Sequence, residues 1–365
     1  MTRFVRVALP MALAAGWMAA AAPEDRYSVS HERAGGAGTP EVIVIRDNTA
    51  GIEAAVAPTE GGELSSLRVK VNGKWVELLY RARDYAATTG FRGKASFLWP
   101  AVGGQYAPGT IPASSCADGS YPVGDRRYPM PCHGFAKDLP WKETGSSADA
   151  RGARVVVELR DSGKTHASYP FGFVVRSSYE ISGGKLFIAY TISSGSDNTA
   201  PMPFSIGNHL AFRIPFQEGT DPADMVFNSP NSTELLRDSH GLVTDRQRAR
   251  SFNKPALLSE FDATVALPLA GYKGGVYARL ADPQGLSIRI TQLAASTLPE
   301  PLVRFNVYGG PKQGYFCPEP WFGLQNSLNL DHGAVTLKPG EDWQWTIEIS
   351  PQIFAPATPS GINKQ

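Results

Sequence analysis

The sequence is 365 residues long and 42% hydrophobic, and its 35 Lys and Arg nearly balance 34 Asp and Glu. That length and apolar content suffice to bury a sizeable core. No dense block of Lys or Arg occurs, so the electrostatic footprint of a nucleic-acid binder is missing and neutral partners are expected.

The chain begins Met1-Thr2-Arg3-Phe4-Val5-Arg6, continues through an Ala-rich apolar stretch from Val7, and reaches small residues before Pro23-Glu24-Asp25. This is the layout of a secretory signal peptide over residues 1–22, with cleavage expected near Ala21 or Ala22. An uncleaved anchor is the alternative, but a membrane span needs roughly 20 strongly apolar residues and this stretch is shorter and built on alanine. The expectation is an exported protein, periplasmic or secreted, with no membrane attachment after cleavage. Residues 23–40, containing Ala34-Gly35-Gly36-Ala37-Gly38, read as a flexible lead-in, and 356–365 as a similar tail. Between them, 41–355 shows no linker and no repeat of fixed period, so one large domain is expected.

From Glu41 onward, short β-branched and aromatic runs alternate with turn signals. Strands are predicted over Arg154–Leu159, Phe171–Ile181, Lys185–Ser193, Val276–Leu280, Leu286–Gln292, Val303–Tyr308 and Trp343–Ile349. Asp161-Ser162-Gly163, Ser182-Gly183-Gly184 and Asp282-Pro283-Gln284-Gly285 separate them as hairpin connections do. No segment keeps a helical period for several turns, and the reading is all-β. The connection from Ala101 to Asp138 is unusually long for a compact domain, which is where functional loops are found.

Three cysteines occur. In an oxidising compartment Cys116 and Cys132 can close a Gly-, Pro-, Ser- and Tyr-rich loop, worth about 3 kcal/mol in the chain-entropy model. Three separate thiols are the alternative. The bridge would leave Cys317 unpaired and buried. No Cys-x-x-Cys occurs, and His31, His166, His240 and His332 have no metal-ligand spacing. With no Gly-rich strand-to-helix turn either, neither a metal nor a nucleotide cofactor is expected.

Three segments carry possible chemistry. In Pro131-Cys132-His133-Gly134-Phe135-Ala136-Lys137-Asp138-Leu139-Pro140-Trp141 the His-Gly step can set an imidazole beside a ligand, and Trp141 offers a flat apolar face. In Pro203-Phe204-Ser205-Ile206-Gly207-Asn208-His209-Leu210 a histidine sits inside an apolar run, where it is either a functional group or a hydrogen-bonded core residue. In Tyr315-Phe316-Cys317-Pro318-Glu319-Pro320-Trp321 a glutamate lies between prolines and aromatics. Such surroundings raise a carboxylate's pKa toward that of a general base, and the prolines fix the backbone that aims it; a salt-bridged structural glutamate is the other reading.

The order of these segments, with Glu60-Gly61-Gly62-Glu63-Leu64 upstream and Leu337-Lys338-Pro339-Gly340-Glu341 downstream, resembles the aldose 1-epimerase (galactose mutarotase-like) family over roughly residues 41–350. His133-Gly134-Phe135-Ala136-Lys137-Asp138 is similar to that family's His-Gly-Phe-Ala-Arg-Asp signature, Asn208-His209 to its Asn-His pair, and Glu319-Pro320-Trp321 to its late glutamate motif. The resemblance implies a large antiparallel β-supersandwich that interconverts the anomers of a free sugar without a metal. In that scheme Glu319 takes the proton of the C1 hydroxyl, His209 protonates the ring oxygen, and His133 holds the substrate. Asn208, Trp321 and Trp141 are the further expected substrate contacts. Reference pKa values of about 6.5 and 4.3 would leave His209 protonated and Glu319 ionised in mildly acidic to neutral solution.

The sequence departs from the family at the arginine expected near position 104 or 105, where Gly104 and Gln105 stand, with Arg92 a nearby substitute. Lys137 replaces the signature's arginine, a point charge for a planar fork. A rival reading is a hexose-phosphate mutarotase using Arg92, Lys94, Arg126 and Arg127 on the phosphate. A second is a sugar-binding protein without catalysis that stacks its ligand on Trp99, Trp141 and Trp321. A third is a lyase or hydrolase module of similar sandwich type. The sequence specifies no oligomeric state.

Overall fold

The computed structural model describes residues 25–33, 39–81, 93–114, 116–262, 264–293 and 302–355. The expected signal peptide, the tail and Arg92 lie outside the described residues. Among the described residues, twenty strands join in one antiparallel sheet that folds back around a large apolar cluster.

The predicted strands are present, and their register follows from alternation. Phe173–Ser182 and Lys185–Ser194 form a hairpin with Ser182 opposite Lys185, its two-residue turn made by Gly183 and Gly184 at φ 57° and 73°. Every second side chain of each strand is buried. Lys185–Ser194 pairs in turn with Asp342–Ile353, setting Tyr190 against Trp345 with ring centroids 5.7 Å apart.

Three segments differ from expectation. Within the supposed flexible lead-in, Tyr27–Arg33 is a strand paired along Glu41–Asp47. Tyr27 is buried, its hydroxyl accepts from the Gly183 amide, and Arg26 pairs with the buried Asp47. The segment covers an apolar strand that would otherwise be an open edge. At Asp161-Ser162-Gly163 a one-turn helix, Gly163–His166, replaces the tight turn because Ser162 and Thr165 cap it reciprocally. The long connection is also structured. It contains the hairpin Gly119–Val123 with Arg126–Met130, and the disulfide expected between Cys116 and Cys132 is formed, with Cα atoms 5.3 Å apart.

Candidate active site

The site opens where two strands part. Ile206–Leu210 pairs with Tyr315–Gly323 only at Ile206 and Gly207, and pairing resumes at Phe212 and Arg213 opposite Phe316 and Tyr315. Over the gap, Pro318 and Pro320 have no amide hydrogen to offer a neighbouring strand. Glu319 instead lies opposite Asn306 of the strand Val303–Gly310. His209 and Glu319 face each other across this opening, His209 Nε2 standing 3.5 Å from Glu319 Oε1.

Two neighbours bond the carboxylate. Trp321 Nε1 donates to Glu319 Oε2 at 3.1 Å, and the Asn306 side chain also bonds Glu319. Behind Asn306, Arg237 donates to Asn306 Oδ1 at 3.2 Å and to Gln325 Oε1 at 2.7 Å, so Asn306 turns its amide nitrogen toward Glu319. Gly207 makes room for the indole, because a Cβ there would lie 2.7 Å from Trp321 Cδ1.

His133 reaches the cavity from the long connection. Its backbone is left-handed, φ 64°, and the next residue, Gly134, has φ 70°. A Cβ at 134 would fall 2.1 Å from the Trp99 carbonyl oxygen, so the turn that presents His133 requires glycine. His133 Nδ1 accepts from the Gly103 amide at 3.0 Å, which leaves the proton of the neutral ring on Nε2. The His133 ring centroid is 5.9 Å from that of His209 and 5.8 Å from that of Trp321. Together these groups line a cavity of about 280 Å³, with Arg237 and Tyr308 in its wall.

Burial sets the proton distribution, and it differs from expectation. Desolvation pushes the Glu319 carboxyl up to about 8, against the hydrogen bonds from Trp321 and Asn306 and the Arg237 charge. Desolvation also drives His209 down to about 4. His133 is held well below the usual imidazole value by burial, then by His209 and Lys137. Burial thus works against charge on both groups, favouring the protonated carboxyl at Glu319 and the neutral imidazole at His209.

The sequence-based candidates separate into those at the cavity and those elsewhere. His133, His209, Glu319 and Trp321 line it. Asn208 does not: strand alternation turns it to the other face, fully buried, where its Nδ2 donates to Tyr190 Oη at 2.7 Å. Trp141 is likewise a core residue, its Nε1 on the Ala136 carbonyl and its ring edge-on to Phe97. Trp99, proposed as a stacking face, is completely buried among Phe135, Tyr169 and Phe173. Gln105, where an arginine was expected, points inward and accepts from the Leu328 amide. Lys137 is occupied by the Gly134 carbonyl and Asp138.

Arg237, Asn306, Gln325 and Tyr308 reach the site without having been singled out. Asn306 had a faint signal, as a polar residue in an apolar strand. Arg237 had none. Among the described residues, Cys116, Cys132 and His133 form a cluster of metal-ligating atom types, but its two sulfurs are bonded to each other.

A model of the aldose 1-epimerase family matches residues 41–350. Among solved structures, a galactose mutarotase-like protein from Clostridium acetobutylicum is similar with TM-score 0.72 and 18% identity, over 90% of this chain and 99% of that one. The galactose 1-epimerase from Lactobacillus acidophilus matches with TM-score 0.65 and 15% identity, over 89% of this chain and 99% of that one. At such identities these likenesses establish a shared fold.

Proposed function

We propose, because the chain belongs to the aldose 1-epimerase family, that it is an exported mutarotase interconverting the α and β anomers of a free aldose. The observation that carries the reading is the facing pair of Glu319 and His209 in a cavity with a neutral imidazole donor, His133, at its side.

Ring opening needs a proton removed from the C1 hydroxyl and one delivered to the ring oxygen. Ionised Glu319 takes the first as the C1 carbonyl forms and the C1–O5 bond breaks, and protonated His209 supplies the second. The open-chain sugar then faces neutral Glu319 and neutral His209, the same proton distribution that burial favours in the empty site. After rotation about C1–C2, the steps reverse on the other carbonyl face. The proton count of the pair stays at one throughout, and only its position changes. The Nε2–H of His133 donates to a sugar oxygen, and Arg237, through Asn306, favours the ionised carboxylate when the proton moves to His209.

Export is supported by the N-terminal sequence pattern and by the Cys116–Cys132 disulfide, a bond that persists in oxidising compartments. A phosphorylated substrate is less well served. Lys94 is buried on Glu63, Arg127 bonds Ser120 and Asn329, and Arg126 lies over the Tyr128 ring. The reading is tested by NMR exchange between anomers of D-glucose and D-galactose, with acceleration over the uncatalysed rate expected.

A further inference from the structure

A groove of about 790 Å³ lies on a face of the sheet turned away from the core, rich in cations and sharing no residue with the cavity at Glu319. We propose that it binds an acidic polysaccharide, with uronate carboxylates on Lys142, Arg160, Lys164 and Arg176. The inference is independent of the mutarotase reading.

Register builds the site. Glu158 stands opposite Lys142 of the strand Lys142–Ala148 and opposite Arg176 of the strand Phe173–Ser182. Residues paired across strands share a face, and Val157 and Leu159 occupy the other one, in the core. Arg160, two residues on, returns to the face of Glu158. Lys164 joins them from the one-turn helix that follows. With strands roughly 4.8 Å apart, the backbones of Lys142 and Arg176 are about 10 Å apart, so the cations form a row rather than a point.

Charge balance then calls for an anion. Glu158 is buried, and its two oxygens accept from Arg160 Nε and Arg176 Nε, each at 2.6 Å. One carboxylate thus fixes two guanidiniums and neutralises one, and neither has a second acid partner among the described residues. Side chains fixed in advance lose less entropy when a ligand arrives. Lys142 and Lys164 are exposed and form no ion pair among the described residues. Asp161, the next acid along the chain, is engaged by His166 and the Phe173 amide. Glu234 provides the contrast. It also holds two arginines, Arg248 and Arg250, but there Glu260 and Asp262 line the same cavity and offset the excess.

The lining selects the occupant. A single inorganic oxyanion would leave most of the groove empty and meet only part of the row. A membrane surface needs large exposed apolar side chains beside the charges, and none of those exposed among the described residues lines this groove. Nucleotide bases need aromatic faces to stack on, which the groove also lacks. Leu139, Pro140 and Leu159 supply an aliphatic flank for the C–H edges of sugar rings, and the guanidiniums match carboxylates as planar forks. A neutral saccharide would leave the cations unpaired.

The test is calorimetric titration of the native chain with polygalacturonate at low and high salt, beside dextran, poly-L-glutamate, inorganic phosphate and phosphatidylserine vesicles. Polygalacturonate should bind more tightly than all the others and weaken as salt screens the row. Lys142→Gln combined with Lys164→Gln leaves the Glu158 pair intact and should weaken binding about tenfold or more, the worth of one charged hydrogen bond. Lys254→Gln, an exposed charge on the strand Val243–Leu257, should leave it unchanged. Anomer exchange on free aldoses should be the same in all three chains, so a failure of the mutarotase reading is read separately from a failure here. No binding of polygalacturonate, binding that the double variant retains or that K254Q loses equally, or tighter binding of poly-L-glutamate, phosphate or vesicles would overturn the inference.

Discussion

His209 Nε2 and Glu319 Oε1, 110 residues apart in the chain, stand 3.5 Å apart and share one proton between about pH 4 and pH 8. Below that window both are protonated and no base remains; above it both are deprotonated and no acid remains. If the pair carries out the proposed acid–base reaction, the profile of kcat/KM against pH should therefore be a bell with a broad top, its limbs near 4 and 8. The unperturbed values would instead place the limbs near about 4.3 and 6.5. A profile that falls off by pH 7 would contradict the proton distribution described here.

The same shifts act on stability. Glu319 has a raised pKa in the fold, so its contribution is complete below about 4.5 and is lost as pH rises toward about 8. His209 has a depressed one, so its contribution is complete above about 6.5 and is lost as pH falls toward about 4. Glu319→Gln keeps the shape and removes the charge. It should raise Tm relative to the native chain at pH 9 and lose that advantage below pH 5, as followed by thermal denaturation across this range.

Arg237 is the cation whose charge lowers Glu319, and it is fixed by Asn306 and Gln325. Arg237→Met should move the alkaline limb of the pH profile upward, because the carboxyl loses an opposing charge. Unpairing the buried partners should also cost about 3 kcal/mol of stability in denaturant titration. Arg237→Lys should restore part of the pH shift. A limb that stays in place in both variants would remove Arg237 from the electrostatics of the site.

Cys132 precedes His133 directly, and its disulfide partner Cys116 lines the cavity. Replacing both cysteines by serine should cost about 3 kcal/mol by the chain-entropy model. The loosened turn at His133 should raise KM more than it lowers kcat, as steady-state exchange measurements would read.

What the sequence disclosed was chemistry that breaks a local pattern. His133 before a glycine, His209 in an apolar run and Glu319 between prolines are each anomalous where they stand, and all three line the cavity. Which face of a strand looks inward is not written in a short apolar run, so Asn208 was assigned to the site along with His209 although alternation sends it to Tyr190. Trp141 is ambiguous for a related reason, since an indole that suits a sugar also suits a core, where the fold puts it. Arg237 is brought to Asn306 and Glu319 by sheet register over 69 and 82 residues of chain, a relationship with no local trace. The edge strand Tyr27–Arg33 is not legible in the sequence because two apolar residues among Ser, His and Glu give little alternation until Glu41–Asp47 supplies its partner.

The most direct measurement is NMR exchange spectroscopy of anomer interconversion by the protein, beside Glu319→Gln and His209→Asn at matched concentration. The account predicts exchange far above background in the native chain and a loss of about 10²-fold or more in each variant, the scale of a lost general acid or base. Native-level exchange in either variant, with the fold intact, would contradict it.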